Sequence, residues 1–588
     1  MNTKTPTALR TWNRDALLAP DRINGSEILL RTLLLEGVEC VFGYPGGAVL
    51  YIYDAMHGNP DFRHLLTRHE QGAIHAADGY ARSTGKPGVC LATSGPGAAN
   101  LVTGIATAHM DSVPLVIITG NVATSLLGTD AFQEADIVGI TQPITKHGLM
   151  VRHVDDLART IREAFHLAGT GRKGPVLVDI PKDVSADTTV FRYPDTVHIR
   201  GYEPDPAVNP ELVDLLLAAI REAKRPLLLA GGGVVQAEAS AELLQLVQRT
   251  QLPVTTTLLG LGGFSALHPL WLGMPGMHGT YAANQALQQC DLLVAVGARF
   301  DDRVTMRLDD FAPHARIAHL DIDAAEIGKL VPASIPIRGD AKRVLAMVCD
   351  RLAAQPAAPE FPAERAAWLR NLAEMKERHP LRYRDDTSAL QPQYVIEMLD
   401  RTTEGNAIVT TDVGQHQMWV AQFYRFRHPR SLLTSGGLGT MGFGFPSAIG
   451  AQIGHPDRLV ISVNGDGGMQ MCAQELAICA LHNIPVKIVV INNQTLGMIK
   501  QWQEVIHQGR YSHIDLSGSP DFVKLAEAYG VLGLRADNRE DAERVWQTAL
   551  RTPGPVLIDF LVSKDELVLP MVPHGRSLDD MILEVPEA

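Results

Sequence analysis

Residues 459–493 constrain the fold more than any other part of the chain. A short apolar run at 459–463 leads into Gly465-Asp466-Gly467, and a second, β-branched run at 486–491 ends in Asn492-Asn493. The residues between them, 469–482, have the length and pattern of a helix. This order predicts a β–α–β unit with a carboxylate after its first strand and an amide after its second.

The carboxylate of Asp466 and the amide of Asn493 are predicted to lie close together. The carboxyl ends of parallel strands open at the same edge of a sheet. A carboxylate and an amide oxygen, with the backbone carbonyl of Thr495, suit Mg²⁺, which leaves its other positions to phosphate and water. Taken alone, Gly-Asp-Gly is more often an ordinary turn, and only its pairing with Asn493 favours a metal site.

Length and composition set the class of protein. A chain of 588 residues is too long for one core and predicts about three or four domains. A hydrophobic content of 46% and a charged content of 20% are typical of a soluble globular protein. The net charge of −13 argues against a nucleic-acid partner.

The cysteines and apolar runs bear on location. Six cysteines are scattered without a Cys-x-x-Cys pair, which is typical of small buried side chains in a reducing compartment. No apolar run reaches 18 residues, so we expect no membrane span. The first 20 residues carry charges and no apolar signal-peptide core, so we expect a cytoplasmic protein.

Repeated strand, glycine-loop and helix units predict one doubly wound domain at residues 22–190, after a leader at 1–21. Within it, Glu70 falls where a strand at 64–67 passes into a helix at 72–84. Such a junction directs a side chain into the crevice at the sheet edge. On position alone, Glu70 is more simply explained as a helix-start acid favoured by the helix dipole.

Two further domains are predicted, a central one at 205–352 and a last one at 385–570. A segment at 353–384, rich in Ala, Pro and Glu at its start, is predicted to link them, and 571–588 form a tail. The last domain repeats the alternation of the first, so the two are predicted to be copies of one architecture. The predicted fold class is α/β, with three doubly wound parallel-sheet domains.

Two glycine patterns invite a nucleotide interpretation. Gly231 to Gly233 follow a predicted strand and fit nucleotide binding and a plain loop about equally well. Gly437-x-Gly439-x-x-Gly442 matches the dinucleotide fingerprint, but its acidic partner, expected about 20 residues on, would be Asp466, 24 residues past Gly442. We therefore reject an NAD site and expect these glycines to let a cofactor approach the backbone.

The order of the motifs resembles one family along residues 22–575. The chain is similar to the catalytic (large) subunits of the acetohydroxyacid (acetolactate) synthases, which are thiamine diphosphate-dependent 2-oxoacid decarboxylases and carboligases. The resemblance rests on a series of motifs in a fixed order, and such a series is much more specific than any one motif. In addition to Gly465-Asp466-Gly467 and Asn492-Asn493, it comprises Tyr44-Pro45-Gly46-Gly47, Arg68-His69-Glu70-Gln71, Gly128 to Glu134, Gly297 to Arg303, Gly414-Gln415-His416-Gln417 and Gly497 to Trp502.

The resemblance implies thiamine diphosphate, held through Mg²⁺ between a pyrimidine-binding first domain and a diphosphate-binding last domain. It makes Glu70 the residue that activates the cofactor, and Asp466, Asn493 and Thr495 the metal ligands. The further thiamine-site residues that it implies are Pro45, Gly95, Asn100, Gln415, His416, Gly439, Met441, Gly465, Gly467 and Gly468.

The resemblance also implies FAD in the central domain. Because the overall reaction moves no net electrons, this flavin would have a structural role. The implied FAD residues are Arg172, Gly231, Gly232, Gly233, Thr257, Leu258, Gly276, Met277, His278, Gly297, Ala298, Arg299, Asp301, Arg303, Val304, Asp321, Ile322 and Asp340.

The implied reaction decarboxylates pyruvate and condenses the two-carbon fragment with a second 2-oxoacid. A second pyruvate gives 2-acetolactate and 2-oxobutyrate gives 2-aceto-2-hydroxybutyrate, the first common step of valine, leucine and isoleucine biosynthesis. Trp502 would favour 2-oxobutyrate, although on its own it also fits a core aromatic residue. The implied substrate-side residues are Gly46, Phe132, Gln133, Lys182, Met498 and Trp502.

The resemblance implies partners as well as a reaction. The family builds its site between subunits, so at least a homodimer, or a tetramer, is expected, and a small regulatory subunit is common. One departure is that Gly120-Asn121-Val122-Ala123 stands where the family usually has Gly-Gln-Val-Pro. In the family this region lines the substrate channel, so the resemblance does not determine this chain's channel shape or its sensitivity to inhibitors.

Three alternatives compete with this interpretation. In a pyruvate oxidase with thiamine diphosphate and FAD, electrons would reach the flavin. A glyoxylate carboligase is disfavoured because that relative lacks the carboxylate that Glu70 supplies. A catalytically inactive scaffold protein is disfavoured because Glu70, Gln133, Lys182, Asp466 and Asn493 are all present.

Overall fold

The computed structural model describes residues 13–354, 361–384 and 389–584. Over these ranges the chain forms three parallel sheets with intervening helices, which confirms the predicted α/β class. Parts of the predicted leader, linker, last domain and tail, at 1–12, 355–360, 385–388 and 585–588, lie outside the described residues. Within the described ranges, no helix combines the length and the apolar character needed to cross a membrane.

The first domain contains a sheet of six parallel strands in the order β3-β2-β4-β5-β7-β6, as far as the described residues go. A short antiparallel pair, β1 with β8, lies beside it. Its strands are β1 (Arg22–Asn24), β2 (Val41–Tyr44), β3 (His64–Leu66), β4 (Gly88–Ala92), β5 (Leu115–Asn121), β6 (His147–Met150), β7 (Pro175–Pro181) and β8 (Thr188–Val190). Its helices are α1 (Arg14–Leu17), α2 (Gly25–Leu35), α3 (Leu50–Met56), α4 (Glu70–Thr84), α5 (Pro96–Ala99), α6 (Val102–Met110), α7 (Ile137–Thr141), α8 (Leu157–Gly169) and α9 (Lys182–Ala186).

The central domain contains five parallel strands within the described part of the chain, in the order β10-β9-β11-β12-β13. Its strands are β9 (Pro226–Ala230), β10 (Val254–Thr256), β11 (Leu292–Val296), β12 (Arg316–Asp321) and β13 (Ile335–Arg338). Its helices are α10 (Pro210–Glu222), α11 (Gly232–Gln236), α12 (Ser240–Thr250), α13 (Tyr281–Gln289), α14 (Asp302–Thr305) and α15 (Ala341–Ala353).

The predicted linker contains a helix, α16 (Ala363–Arg378), which packs on the central domain. Trp368 and Leu372 are buried there, and the Trp368 indole N–H donates to the Pro226 carbonyl at 3.1 Å. The segment is therefore part of the central domain's core over this helix. Its Ala, Glu, Arg and Leu residues are strong helix formers, a signal that the sequence interpretation did not use.

The last domain contains a six-stranded parallel sheet, counted over the described residues, in the order β15-β14-β16-β17-β19-β18. Its strands are β14 (Ile408–Thr411), β15 (Leu432–Leu433), β16 (Val460–Gly465), β17 (Lys487–Asn492), β18 (Leu532–Ala536) and β19 (Val556–Leu561). Its helices are α17 (Pro392–Thr403), α18 (Gln415–Phe423), α19 (Gly444–Gly454), α20 (Asp466–Cys472), α21 (Leu476–His482), α22 (Gly497–His507), α23 (Phe522–Ala528) and α24 (Arg539–Arg551).

The first and last domains share one topology. Numbered within its own sheet, each runs in the order 2-1-3-4-6-5, with every neighbouring pair parallel. The predicted repetition of one architecture is therefore confirmed. One detail differs: the helix predicted at 469–482 is two helices, α20 and α21, separated by a 3₁₀ turn at Ala473–Glu475.

The two similar domains pack against each other through α4 and α19. A side chain at Gly450 would place its Cβ 1.7 Å from the Ala76 carbonyl oxygen, and one at Gly79 would place it 2.0 Å from the Ser447 oxygen. Only glycine allows two helices to approach so closely. The close packing fixes the sheets relative to each other.

A buried ionic cluster lies beside this helix pair. Arg82 pairs with Asp78 and with Asp111, at 2.9 Å from the latter, and it donates to the Thr434 carbonyl of the last domain at 2.9 Å. Asp111 accepts the backbone N–H groups of Gly436 and Gly437 at 3.0 and 2.7 Å. Because the carboxylates are fully buried, this network ties a loop of the last domain to the first.

Candidate active site

One large cleft, of about 970 Å³, lies against the central and last domains. It meets the sheets at their topological switch points, between β9 and β11 and between β14 and β16, where ligands bind in open α/β sheets. Every predicted cofactor and metal residue of these two domains lines it except Gly231 and Gly276, and Arg172, Met498 and Trp502 line it too.

Asp466 lies at the start of α20 with its carboxylate buried. Its Oδ2 has no hydrogen-bond partner among the described residues, and burial raises the pKa of this carboxyl to about 7. An unpaired buried carboxylate oxygen costs free energy unless a cation or a proton satisfies it. Asp466 therefore has the surroundings that a metal ligand requires.

A chain of buried amides fixes Asn493. Its Nδ2 donates to Gln415 Oε1 at 3.3 Å, and Gln415 Nε2 donates to Gln501 Oε1 and to the Glu566 carbonyl, both at 3.0 Å. Because the amide nitrogen of Asn493 is engaged, its Oδ1 is the atom left to accept, and it takes the Thr495 N–H at 3.3 Å. Gln415 thus orients a predicted metal ligand, a role in addition to its predicted contact with a diphosphate.

These groups fit a hydrated magnesium ion bound to a diphosphate. No cluster of three or more His, Cys, Asp or Glu side chains suited to a metal occurs in the described part of the chain. One carboxylate, one amide oxygen and a carbonyl supply only part of an octahedron, so a Mg²⁺ ion there would take its remaining ligands from phosphate and water.

His416 lies buried beside the same loop. Burial lowers the pKa of its imidazole to about 4, and its Nε2 lacks a partner within the described residues. The ring is therefore neutral and retains a nitrogen that can contact a ligand. The predicted place of His416 beside an anionic group agrees with this orphaned nitrogen.

Asp412 holds the glycine loop that contains Gly442 and Gly444. Sequence reasoning did not assign this aspartate a role. Its fully buried carboxylate accepts the N–H groups of Val413, Gly442 and Gly444 at 2.7 to 3.2 Å. These bonds hold the stretch that carries Met441, whose Cε lies 3.5 Å from an ideal Cβ at Gly467. The position of Asp412 directly after a strand was the signal that could have identified it.

Met498 and Trp502 lie one helical turn apart on α22 and both line the cleft. Side chains four residues apart share a face of a helix. Met498 packs partly on the core of the last domain, and Trp502 packs partly on a cluster that contains Val572 and Leu578. Trp502 is therefore a half-buried aromatic residue that also lines the cleft. Its position fits both a core aromatic residue and a substrate-side residue.

The central-domain part of the cleft is lined by glycine loops that follow the strands of its sheet. An ideal Cβ at Gly231 would lie 2.1 Å from the Gly297 carbonyl oxygen, so the loops after β9 and β11 meet backbone to backbone. Asp321 ends β12, and burial raises the pKa of its carboxyl to about 6. A carboxylate at a strand end beside glycine loops suits the ribose of a nucleotide cofactor.

Other predicted flavin residues differ in how the protein already engages them: three make ion pairs or cap helices, and His278 has a ring nitrogen that is unpaired in the described part of the chain. Arg172 pairs with Asp323 at 2.9 Å and with Glu326 at 2.7 Å. Asp301 and Asp340 cap α14 and α15 by accepting backbone N–H groups. His278 is buried, and its Nδ1 lacks a partner over the described residues.

Glu70 occupies a second, separate position, at the carboxyl edge of the first sheet. It is the first residue of α4 and is 8% exposed, and its Oε2 accepts a hydrogen bond from Asn100 Nδ2 at 3.0 Å. Pro45 and Gly46 follow β2, and Gly95 follows β4, so they lie at this sheet's switch point. The predicted residues of the first domain therefore lie at the carboxyl edge of its sheet, as those of the last domain lie at the carboxyl edge of theirs.

Two predicted substrate residues of the first domain, Phe132 and Gln133, lie on a partly exposed loop. The Phe132 side chain is 89% exposed. Gln133 adopts a left-handed backbone conformation with φ of 60°, and its carbonyl oxygen would lie 2.8 Å from an ideal Cβ at Gly95. Lys182 begins α9, directly after β7.

The predicted residues thus form two separate sets in one chain. None of Pro45, Gly46, Glu70, Gly95, Asn100, Phe132, Gln133 and Lys182 lines the large cleft, although the structure describes all of them. Exposed apolar side chains lie close in sequence to both sets: Leu50, Tyr51 and Leu66 in the first domain, and Met471 and Leu481 in the last.

The departure at Asn121 involves a buried residue. The Asn121 amide donates to Asp179 Oδ2 at 2.6 Å, and Thr119 donates to Asp179 Oδ1 at 2.7 Å. Asn121 is 2% exposed. Its side chain is therefore held inside the first domain.

Comparison with protein families places most residues of both sets within known domains, with Arg172 and Lys182 outside the matched ranges. The "Thiamine pyrophosphate enzyme, N-terminal TPP binding domain" matches residues 23–140, the "central domain" matches 213–348, and the "C-terminal TPP binding domain" matches 412–560. The first match contains Glu70, and the third contains Asp466 and Asn493.

Curated relatives resemble the chain over nearly its full length. "Acetolactate synthase large subunit" of Corynebacterium glutamicum is 48% identical over 582 residues, covering 98% of this chain and 92% of the relative. The protein of the same name from Haemophilus influenzae is 45% identical, covering 96% and 99%. "Acetolactate synthase 1, chloroplastic" of Nicotiana tabacum is 45% identical, covering 99% and 88%. The chain therefore belongs to the thiamine pyrophosphate enzyme family, among the acetolactate synthase large subunits.

Proposed function

We propose that this chain decarboxylates pyruvate and condenses the two-carbon fragment with pyruvate or 2-oxobutyrate, giving 2-acetolactate or 2-aceto-2-hydroxybutyrate. The observation that carries the proposal is the placement of Glu70 and of the Asp466–Asn493 pair at equivalent edges of two sheets of one topology. Two matching edges can hold the two ends of one cofactor between them. The names of the full-length relatives support the same activity.

Each half contributes a distinct part of the chemistry. Bound thiamine diphosphate would supply the carbon nucleophile and accept the electron pair that stays behind when CO₂ leaves. Asp466, Asn493 and the Thr495 carbonyl would hold Mg²⁺ and thereby the diphosphate. The Glu70 carboxylate, steadied by Asn100, would share a proton with the N1′ atom of the aminopyrimidine.

The cofactor-binding halves would meet between two chains. Since the first-domain residues lie outside the cleft that holds Asp466, a second copy is needed to bring a Glu70 to it. The exposed apolar side chains near both sets support an interface there. The active unit is thus at least a homodimer, and the term "large subunit" in the relatives' names supports a smaller regulatory subunit.

The second 2-oxoacid would be selected by Met498 and Trp502. These residues line the cleft from one face of α22. Apolar contact with one extra methylene is worth about 1–3 kcal/mol, so Trp502 would favour 2-oxobutyrate over pyruvate by roughly 10- to 200-fold. Replacing Trp502 with Leu is expected to reduce that preference, measured as the product ratio at equal concentrations of the two acceptors.

FAD would occupy the central part of the cleft in a structural role. The rival function is a pyruvate oxidase, in which the flavin accepts electrons. Adding pyruvate without oxygen to the protein loaded with thiamine diphosphate, Mg²⁺ and FAD tests the difference. We expect the flavin absorbance to persist while CO₂ is released, and rapid stoichiometric bleaching would contradict the proposal. A cytoplasmic location stays a prediction.

A further inference from the structure

Glu475 is a buried carboxylate for which the reaction described above has no role. It ends the 3₁₀ turn between α20 and α21 in the last domain and is 1% exposed. A buried carboxylate needs partners that compensate for its lost hydration. The partners of Glu475 lie in the other thiamine-binding domain, more than 400 residues away in sequence.

The partners are backbone groups next to Glu70. The Arg68 N–H lies 3.2 Å from both Glu475 oxygens, and the His69 N–H also interacts with the carboxylate. An ideal Cβ at Gly72 would lie 2.3 Å from Glu475 Oε1. The carboxylate therefore rests against the first turn of α4, the helix that Glu70 begins.

This contact holds the two residues that lead into α4, next to the cap that the His69 side chain supplies. The first N–H groups of a helix have no partner within it and form the positive end of its dipole. The His69 imidazole accepts the Gln71 N–H at 3.0 Å, and Glu475 accepts the N–H groups just before Glu70. The backbone on both sides of Glu70 is thus held by side chains.

We propose that Glu475 is a positioning residue for Glu70. It fixes the turn at 68–70 so that the Glu70 carboxylate, bonded to Asn100, stays aimed at the cofactor's pyrimidine ring. The inference rests on the proposed function, because it assumes that Glu70 acts on thiamine diphosphate. Small errors in the placement of a catalytic group cost large factors in rate.

A rival account gives Glu475 only a share in the packing of the two domains. Asp400 provides a matched control, since it is 2% exposed in the same domain and accepts the Arg425 N–H and guanidinium. Asp400 makes no contact with the turn at 68–70 among the interactions of the described residues. The test compares Glu475→Gln, Glu475→Asp and Asp400→Asn in the full chain.

The first readout needs no cofactor. Amide hydrogen exchange of a peptide that covers residues 68–71 is followed by mass spectrometry in the cofactor-free protein. We expect exchange about tenfold faster in Glu475→Gln, because the glutamine amide presents one acceptor instead of two. Glu475→Asp should lie between parent and Glu475→Gln, and Asp400→Asn should match the parent. Unchanged exchange in Glu475→Gln would overturn the proposal.

The second readout is exchange of the C2 proton of bound thiamine diphosphate for deuterium, measured by acid quench and NMR. We expect a loss of about tenfold to a hundredfold in Glu475→Gln, an intermediate loss in Glu475→Asp, and cofactor affinity within about threefold of the parent. Parental exchange in Glu475→Gln, or an equal loss in Asp400→Asn, would overturn the proposal. A parent protein that exchanges no C2 proton would instead refute the function on which the proposal rests.

Discussion

Two inactive variants of this chain should restore each other's activity when they share a dimer. Glu70 lies outside the cleft that Asp466 lines, so each site would combine Glu70 of one chain with Asp466 of the other. Glu70→Gln removes the acid–base group, and Asp466→Ala removes a metal ligand. Each homodimer should lose activity by about 10²- to 10⁴-fold.

The arrangement determines the size of the recovery. In a dimer of Glu70→Gln with Asp466→Ala, one site carries both substitutions and the other carries neither. Such a heterodimer should have about half of the parental activity, because a twofold dimer has two equivalent sites. A heterodimer of the parent with the Glu70→Gln/Asp466→Ala double variant should be inactive, since each of its sites then carries one substitution.

The assay is co-expression of two differently tagged chains, followed by two affinity steps and a carboligation assay. A site built within a single chain reverses both results: the pair of single variants would be inactive, and the parent with the double variant would keep about half of the activity. That reversed pattern would refute the shared site. Each homodimer, purified in parallel, controls for residual activity.

Three further predictions concern chemistry and stability. Glu70→Gln should lower kcat by about 10²- to 10⁴-fold and leave thiamine diphosphate affinity nearly unchanged in a titration, because the anchoring groups lie in the other domain; unchanged turnover would remove the assignment. Arg82→Met should lower the free energy of unfolding in urea by about 3–5 kcal/mol, because Asp78 and Asp111 remain buried without their cation; a loss below about 1 kcal/mol would contradict the role of this cluster. Burial raises the pKa of Asp179 from 3.8 to about 6, so the folded protein holds a proton that the unfolded chain releases between these values. The parent's stability should therefore fall by about 2 kcal/mol more than that of Asp179→Asn as pH rises from about 4 to 6, and parallel urea-midpoint profiles would contradict that pKa.

The positions of Asp466 and Asn493 at strand ends were predictable because the sequence pattern that marks the end of a strand is local. Asp466 and Asn493 each follow a short β-branched run, and the parallel-sheet rule alone brings such ends to one edge. The repetition of the first and last domains followed from the same alternation of strand, glycine loop and helix. Their common strand order shows how far a local pattern constrains topology.

Contacts between distant segments were not predictable. Glu475 meets Arg68 across 407 residues, and Asp111 meets Gly436 across 325, and no periodicity links such positions. The orientation of Gln415 depends on Gln501, 86 residues away. The first two contacts form only after the two domains have packed, and the contact between Gln415 and Gln501 forms only after the last domain has folded.

The separation of the two predicted sets was also beyond local reasoning. Each set lies at a switch point that the sequence indicates, but whether two edges face one cleft depends on how the domains pack. Glu70 and Asp466 illustrate this, because both positions were predicted and only one of them lines the cleft.

The most direct test of the proposed function is product analysis with pyruvate and 2-oxobutyrate supplied together. The protein is loaded with thiamine diphosphate, Mg²⁺ and FAD, and CO₂ and both acetohydroxy acids are followed. We expect CO₂ with 2-aceto-2-hydroxybutyrate as the main product and 2-acetolactate as the minor one. CO₂ with acetate or acetyl phosphate and peroxide, and no acetohydroxy acid, would contradict the carboligase and indicate an oxidase.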